Sequence, residues 1–238
     1  MSILLIPIAP LARTKTRLRD SFSNKLLEEL TIAMFKDLGD KLKDVKCFDQ
    51  RVVYCSDSKI LDLAEEYNLI GYKEDKTIPK TFEKVIDDLN HISIKEFNAE
   101  KTIIAFLDLI LISAKNFYEI HSLIEKNQIV VCPAVHSAGI SIFGRNPPDI
   151  ISSRCFSDPN TPSLVSLLKD ANKKGLKIAI YDSFRAGFDV DVKQDLILAY
   201  EYLKIFNLKN TNVYKFLKNN LNLSSLKINT NNNRDFEF

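Results

Sequence analysis

Short apolar runs alternate along the chain with segments whose apolar residues recur every three or four positions. The first pattern suits buried strands and the second amphipathic helices. SILLIPIA (2–9) predicts a first strand, and the polar loop PLARTKTRLRDSFSN leads into a helix with Leu27, Leu30, Met34, Leu38 and Leu42 on one side. RVVYCS (51–56) predicts a second strand and KILDLAEEYN (59–68) the helix after it. KTIIAFLDLILI (101–112) is the most apolar strand candidate, as a central parallel strand covered on both faces would be. Ser113 then caps a helix carrying Phe117, Ile120, Leu123 and Ile124. Further strands follow at QIVVCPA (128–134) and ISIFG (140–144), and a helix at 163–175 ends on Gly175. LKIAIYD (176–182) returns to strand, and 191–206 is helical, with Leu196, Ala199, Tyr200 and Leu203 on one face.

Alternation of this kind predicts an α/β fold: a doubly wound, mostly parallel sheet with helices on both faces. The expected division is one domain over residues 1–208, followed by a C-terminal helix and a flexible Asn-rich tail over 209–238. In such sheets a ligand binds beyond the carboxyl ends of the strands.

Composition narrows the classes. The chain has 238 residues, enough for one domain of ordinary to large size, with 45% hydrophobic and 27% charged residues. Its 33 Lys+Arg against 31 Asp+Glu leave a net charge of only +2, so nothing advertises a nucleic-acid or membrane surface. MSILLIPIAP lacks the basic start and longer apolar stretch of a signal peptide, and no run approaches a membrane span, so a cytoplasmic location is expected. Cys47, Cys55, Cys132 and Cys155 show no CxxC spacing and read as buried, reduced thiols.

Three features fall where a doubly wound sheet places its ligand. The loop after the first strand holds Arg13, Lys15 and Arg17 at every second position. Such a loop, entering a helix, suits phosphate oxygens; the plainer alternative is a solvated basic loop, and no P-loop pattern is present. Asp108 is a lone carboxylate in IIAFLDLILI, costly to bury unpaired. It must sit at the strand's end, meet a cation, or cap the next turn.

The third feature is IYDSFRAGFDVDVKQDL, which places Asp189 and Asp191 two residues apart, on one side of an extended segment. With Asp108 they would form a hard-oxygen set for Mg²⁺ if the strands are neighbours. Alternatively, Asp191 is the N-cap of the last helix, with Gln194 completing a capping box. His91, His121 and His136 have no metal-ligand spacing, His121 reads as a half-buried packing residue, and no covalent nucleophile stands out.

In order, the KTRL loop, the apolar strand with one Asp, and the IYDSF…DVDVKQDL ending resemble the archaeal 2-phospho-L-lactate guanylyltransferase family, within the MobA-like nucleotidyltransferases. The resemblance runs over roughly residues 1–205 and is most specific at the ending, which is similar to the family's IYDSF…DIDxPEDL with Asp189, Asp191, Asp195 and Leu196 in place. It implies transfer of GMP from GTP to 2-phospho-L-lactate, giving lactyl-2-diphospho-5′-guanosine and pyrophosphate, for coenzyme F-420 biosynthesis. It further implies Lys15 and Arg17 on the triphosphate, both also candidates for catalysis together with Asp108. Pro7, Ile8 and Arg13 would join the nucleotide site, and Gly139 and Ser163 the acceptor site. Asp108, Asp189 and Asp191 would be ligands of Mg²⁺.

The chain departs from the family pattern at SAGIS, where GGGTN is usual, so that Ile140 and Ser141 replace Thr and Asn. Ala9 stands where the family's opening PVKP has lysine, and the usual LN before a helix is not recognisable around TIPKTF (77–82). Two alternatives therefore accompany the guanylyltransferase reading. One is a catalytically impaired homologue that binds a nucleotide or a partner; the other is a nucleotidyltransferase with another acceptor, such as phosphoenolpyruvate, 3-phosphoglycerate or a sugar phosphate. The sequence leaves oligomeric state open, with a homodimer as a candidate.

Overall fold

The structure, a computed structural model, describes residues 1–75 and 80–221, and the backbone of the short strands β8 (Ile228–Thr230) and β9 (Asn233–Asp235). Seven strands form one sheet in the order β3-β2-β1-β4-β6-β5-β7. These are β1 (Ser2–Pro7), β2 (Gln50–Cys55), β3 (Ile70–Lys73), β4 (Lys101–Ala105), β5 (Ile129–Pro133), β6 (Ile140–Arg145) and β7 (Ile178–Ile180). All pairings are parallel except those of β6, which runs antiparallel to both β4 and β5.

Both faces of the sheet are covered, which explains the uninterrupted apolar strands. Leu4 and Ile6 of β1 pack with Phe35 and Leu38 of α1 (Asn24–Leu42), Ile60 of α2 (Ser58–Glu66) and Ile120 of α4 (Ala114–Ile124). Ile3 and Leu5, which alternate with them, face Ile86 and Leu89 of α3 (Phe82–Phe97) and Leu167 of α5 (Ser163–Lys173). A third core joins α1 to α7 (Lys193–Ile205) and α8 (Asn212–Asn220), with Leu27, Leu196 and Phe216 among its members. Among the described residues no helix is long and apolar enough to cross a membrane.

The sequence pattern overextends one strand and misses α3 and β3. The run 101–112 is not one strand: β4 stops at Ala105, and the chain then turns, with Ile110 N–H bonded to Asp108 C=O and Ile112 N–H to Leu109 C=O. Leu109, Ile110, Leu111 and Ile112 are apolar because the turn itself is buried. Helix α3 is hidden from periodicity because its buried face includes polar Asn90 and Ser93. Asn90 donates to Pro148 C=O and accepts from the Thr102 hydroxyl, which satisfies it inside the core. Strand β3 is a four-residue edge strand with a glycine, too short for its alternation to stand out.

Ser113 is the N-cap of α4 as expected, and Cys55, Cys132 and Cys155 are buried free thiols, with burial pushing Cys55 up to about 11 and Cys155 to about 12. Cys47 is only partly buried. Residues 77–79 of TIPKTF and most of the Asn-rich end lie outside the described residues.

Candidate active site

The sheet's direction of winding reverses between β1 and β4, since β2 and β3 lie to one side of β1 and β4, β6, β5 and β7 to the other. A crevice must open at the carboxyl ends of strands that diverge in this way. The cleft found there has a volume of about 490 Å³, within the usual span of small-molecule sites. Pro7, Ile8 and Ala9 from the end of β1 and Phe106, Leu107 and Asp108 from the end of β4 line it. Lys15, Arg17, Gly139, Ser163, Asp189 and Asp191 complete the predicted set.

Arg13 is the exception: it is exposed and does not line the cleft. The alternation Arg13, Lys15, Arg17 would align three cations only on an extended segment. The loop instead forms two 3-10 turns, Leu11–Arg13 and Thr16–Leu18, and Lys15 between them adopts the left-handed conformation, φ 45° and ψ 43°. A non-glycine residue in that region costs of order 1 kcal/mol and persists where its surroundings impose it. Here the gain is direction. Lys15 turns inward, with a side chain only 10% exposed, and Thr14 behind it bonds through its hydroxyl to Thr31 of α1 at 2.9 Å.

The Lys15 ammonium makes three contacts: Asp108 Oδ2 at 2.7 Å, Val190 C=O at 2.7 Å and Asp191 Oδ1 at 3.3 Å. Burial alone would lower its pKa, but the fields of Asp108 and Asp191 prevail and raise it, so Lys15 is a fixed positive charge. Asp108 thus sits beyond a strand end and meets a cation, so two of its sequence readings hold at once. Arg17 reaches Asp191 Oδ2 at 3.4 Å from a largely solvent-exposed position, a weaker link.

Asp189 lines the same cleft without an ion pair among the described residues. Burial, and then the negative charges of Asp108 and Asp191, push its carboxyl up to about 6. Such a carboxylate is short of positive charge.

Asp191 is not the cap of α7. The N-cap is Val192, and the side chain that reaches back is Asp195, whose Oδ2 accepts from the N–H groups of both Asp191 and Val192 at 2.7 Å. Gln194 plays no part in this cap. The Asp191 carboxylate is therefore left to the cleft.

On the other wall, Gly139 belongs to the turn between β5 and β6, where its C=O accepts from Ala134 N–H. Ser163 is the first residue of α5, and Leu164 N–H bonds to Ala138 C=O, tying that helix start to the turn. A helix start beside a cleft suits an anion. Ile140 is buried, and the hydroxyl of Ser141 is committed to Cys132 C=O at 3.0 Å. Sequence reasoning missed the aromatic lining, in which Phe82, Phe106 and Phe156 meet with ring centroids 5.3 to 6.1 Å apart. Only the pairing of distant segments brings them together.

The donor chemistry around Asp189 fits a hard divalent cation. Among the described residues no three acids, histidines or cysteines are grouped as a ready-made ion site, and Lys15 stands between Asp108 and Asp191. A Mg²⁺ ion there would be held by one or two carboxylates, with substrate phosphates and water supplying the rest.

The fold is a Rossmann-like α/β fold shared with solved structures of other proteins. A Desulfovibrio desulfuricans protein assigned to the nucleotide-diphospho-sugar transferases superposes with a TM-score of 0.73 at 14% identity, over 92% of this chain and 94% of that one. The 4-diphosphocytidyl-2C-methyl-D-erythritol synthase of Anaerococcus prevotii gives 0.60 at 13% identity, over 86% of this chain and 96% of that one. Sequence narrows the class to a family: residues 1–233 match the family described as "Guanylyl transferase CofC like", and the chain belongs to it. Its relatives include the 2-phospho-L-lactate guanylyltransferases of Methanocaldococcus vulcanius, 28% identical over 82% of each chain, and of Methanothermobacter thermautotrophicus, 26% identical over 81% of each.

Proposed function

We propose that this protein transfers GMP from GTP to the phosphate of 2-phospho-L-lactate, releasing pyrophosphate. The observation that carries the reading is the meeting of Lys15, Asp108, Asp189 and Asp191 in one cleft at the switch point of the sheet, in a member of this family. An acceptor phosphate oxygen attacks the α-phosphorus in line; the new P–O bond forms as the bond to the bridging oxygen of the β-phosphate breaks, and the electron pair leaves with pyrophosphate. No nucleophile from the protein is needed. Lys15, exchanging its long 3.3 Å contact with Asp191 for a phosphate oxygen, and Arg17 hold and neutralise phosphate oxygens, and a charged contact of this kind typically supplies about 3–4 kcal/mol in the transition state. The start of α5 at Ser163 and the turn at Gly139 receive the acceptor. Asp189, with Asp108 or Asp191, would hold Mg²⁺, which supplies charge neutralisation at the phosphates when bound.

The test is pyrophosphate release from GTP and Mg²⁺ with 2-phospho-L-lactate. Turnover with that acceptor is expected. If neither it nor phosphoenolpyruvate or 3-phosphoglycerate is used, the reading fails; preference for one of the latter two moves the acceptor but keeps the reaction.

A second reading has its own observation. With Ile140 buried and the Ser141 hydroxyl engaged by the backbone, the turn offers the cleft fewer side-chain donors than a Thr-Asn pair would. A binding protein with impaired catalysis would take up GTP with Mg²⁺ but show no turnover. An active protein silenced by Asp189→Ala removes that alternative.

A further inference from the structure

The turn 134–139, which brings Ser137 and Gly139 to the cleft, and the segment carrying Asp189 and Asp191 are about fifty residues apart in sequence. They are joined at His136. Its Nδ1 lies 2.7 Å from Asp195 Oδ1, and because a carboxylate only accepts, Nδ1 carries the proton. Asp195 is buried, with a side chain only 4% exposed, and its other oxygen accepts from Asp191 N–H and Val192 N–H. One carboxylate thus serves three donors, two from the backbone at Asp191–Val192 and one from the turn. The imidazole is steadied edge-on against Phe188 at 5.2 Å, next to Asp189 in the chain. One residue earlier, Val135 N–H donates to Gly187 C=O at 2.8 Å, a second strap between the same two segments.

We propose that His136 is a positioning residue: through Asp195 it fixes the backbone at Asp191, and with it the Asp189 and Asp191 carboxylates, in register with the acceptor wall of the cleft. This rests on the reading that those two acids serve the cation and the nucleotide. Hydrogen bonds to a charged acceptor are short and directional, so loss of one leaves the segment bonded but free to rock. Partners one shell removed from the ligating atoms commonly change cation affinity by tenfold or more. A residue that only stabilised the fold would lower the melting temperature and leave cation affinity unchanged.

The experiment measures Mn²⁺ binding in the presence of GTP, by the electron paramagnetic resonance of free Mn²⁺, on the full chain. It compares wild type, His136→Ala, His136→Asn and Asp189→Ala, with acceptor KM and melting temperature recorded alongside. His136→Ala is expected to weaken Mn²⁺ binding about tenfold and to raise acceptor KM more than GTP KM. His136→Asn, whose Nδ2 takes the place of Nδ1, restores both. If His136→Ala is not recovered folded, His136→Gln replaces it, since its amide reaches the Nε2 position instead and cannot reproduce the bond. Wild-type affinity in the Ala or Gln variant, whatever its melting temperature, overturns the proposal, as does equal loss in the Asn variant. Absence of Mn²⁺ binding by wild type itself would remove the cation reading and this inference with it; unchanged binding in the variant removes this inference alone.

Discussion

Asp189 pays a stability cost for its place in the cleft, and the direction of that cost is measurable. In an unfolded chain its carboxyl has an ordinary pKa near 3.8, whereas in the fold burial and the neighbouring acids push it up to about 6. Below the lower value both states are protonated. As pH rises from there to about 6 the folded state retains the proton longer, so stability falls, and above 6 the full cost of the buried charge is present. Asp189→Asn is therefore expected to melt higher than wild type at pH 8 without divalent cation. After allowance for solvent screening the gain is about 1 kcal/mol, or roughly 2–4 °C. Calorimetry at pH 8 and pH 4 checks it: the difference should vanish at the lower pH, and turnover should be lost. At this scale the sequence was informative wherever chemistry dictated it. Asp189, Asp191 and Lys15 stood out as charges in need of partners, and the structure brings them to one cleft. Arg13 misled because spacing by two implies a shared direction only in extended backbone, and Lys15 has a left-handed φ of 45° instead.

Among elements, the segment from β7 to α7 shows how close packing aims side chains. The short helix α6 (Phe184–Gly187) ends on a glycine whose added Cβ would stand 2.5 Å from Pro133 C=O at the end of β5. That carbonyl is backbone and cannot give way cheaply. Gly187→Ala is expected to cost about 1–3 kcal/mol and to lower activity, because the displaced chain leads directly to Asp189. Denaturant midpoints and pyrophosphate release check the two effects; full stability would show that the strand end moves freely. Elements with a clean apolar face, such as α1 and α7, were legible in the sequence. Helix α3 was not, because polar Asn90 on its buried face is satisfied by tertiary bonds to Pro148 C=O and the Thr102 hydroxyl, and Ser93 by the Asn90 C=O within the helix, so the face is not marked by apolarity. The run ending in Leu109–Ile112 was legible as buried but not as a turn, since apolarity reports burial and not backbone shape.

For the molecule as a whole, the cleft belongs to no single element, so ligand occupancy should be felt globally. Mg²⁺ with GTP at a hundred times its dissociation constant stabilises a folded protein by about 2.7 kcal/mol, or roughly 5–10 °C in melting temperature for a chain of this size. We expect that shift for wild type, little shift with GTP alone, and little with Asp189→Ala in either condition; equal shifts with and without Mg²⁺ would count against the cation reading. The sequence by itself determined the α/β class, the central strands, the terminal helices and the identities of the charged residues that need one another, because alternation, periodicity and the cost of burying charge act locally. Tertiary structure alone decided that β6 runs antiparallel to β4, that His136 reaches Asp195, and that Phe82, Phe106 and Phe156 share a wall. Each of these is a contact between segments far apart in the chain, and its geometry is set by how the sheet winds at the switch point.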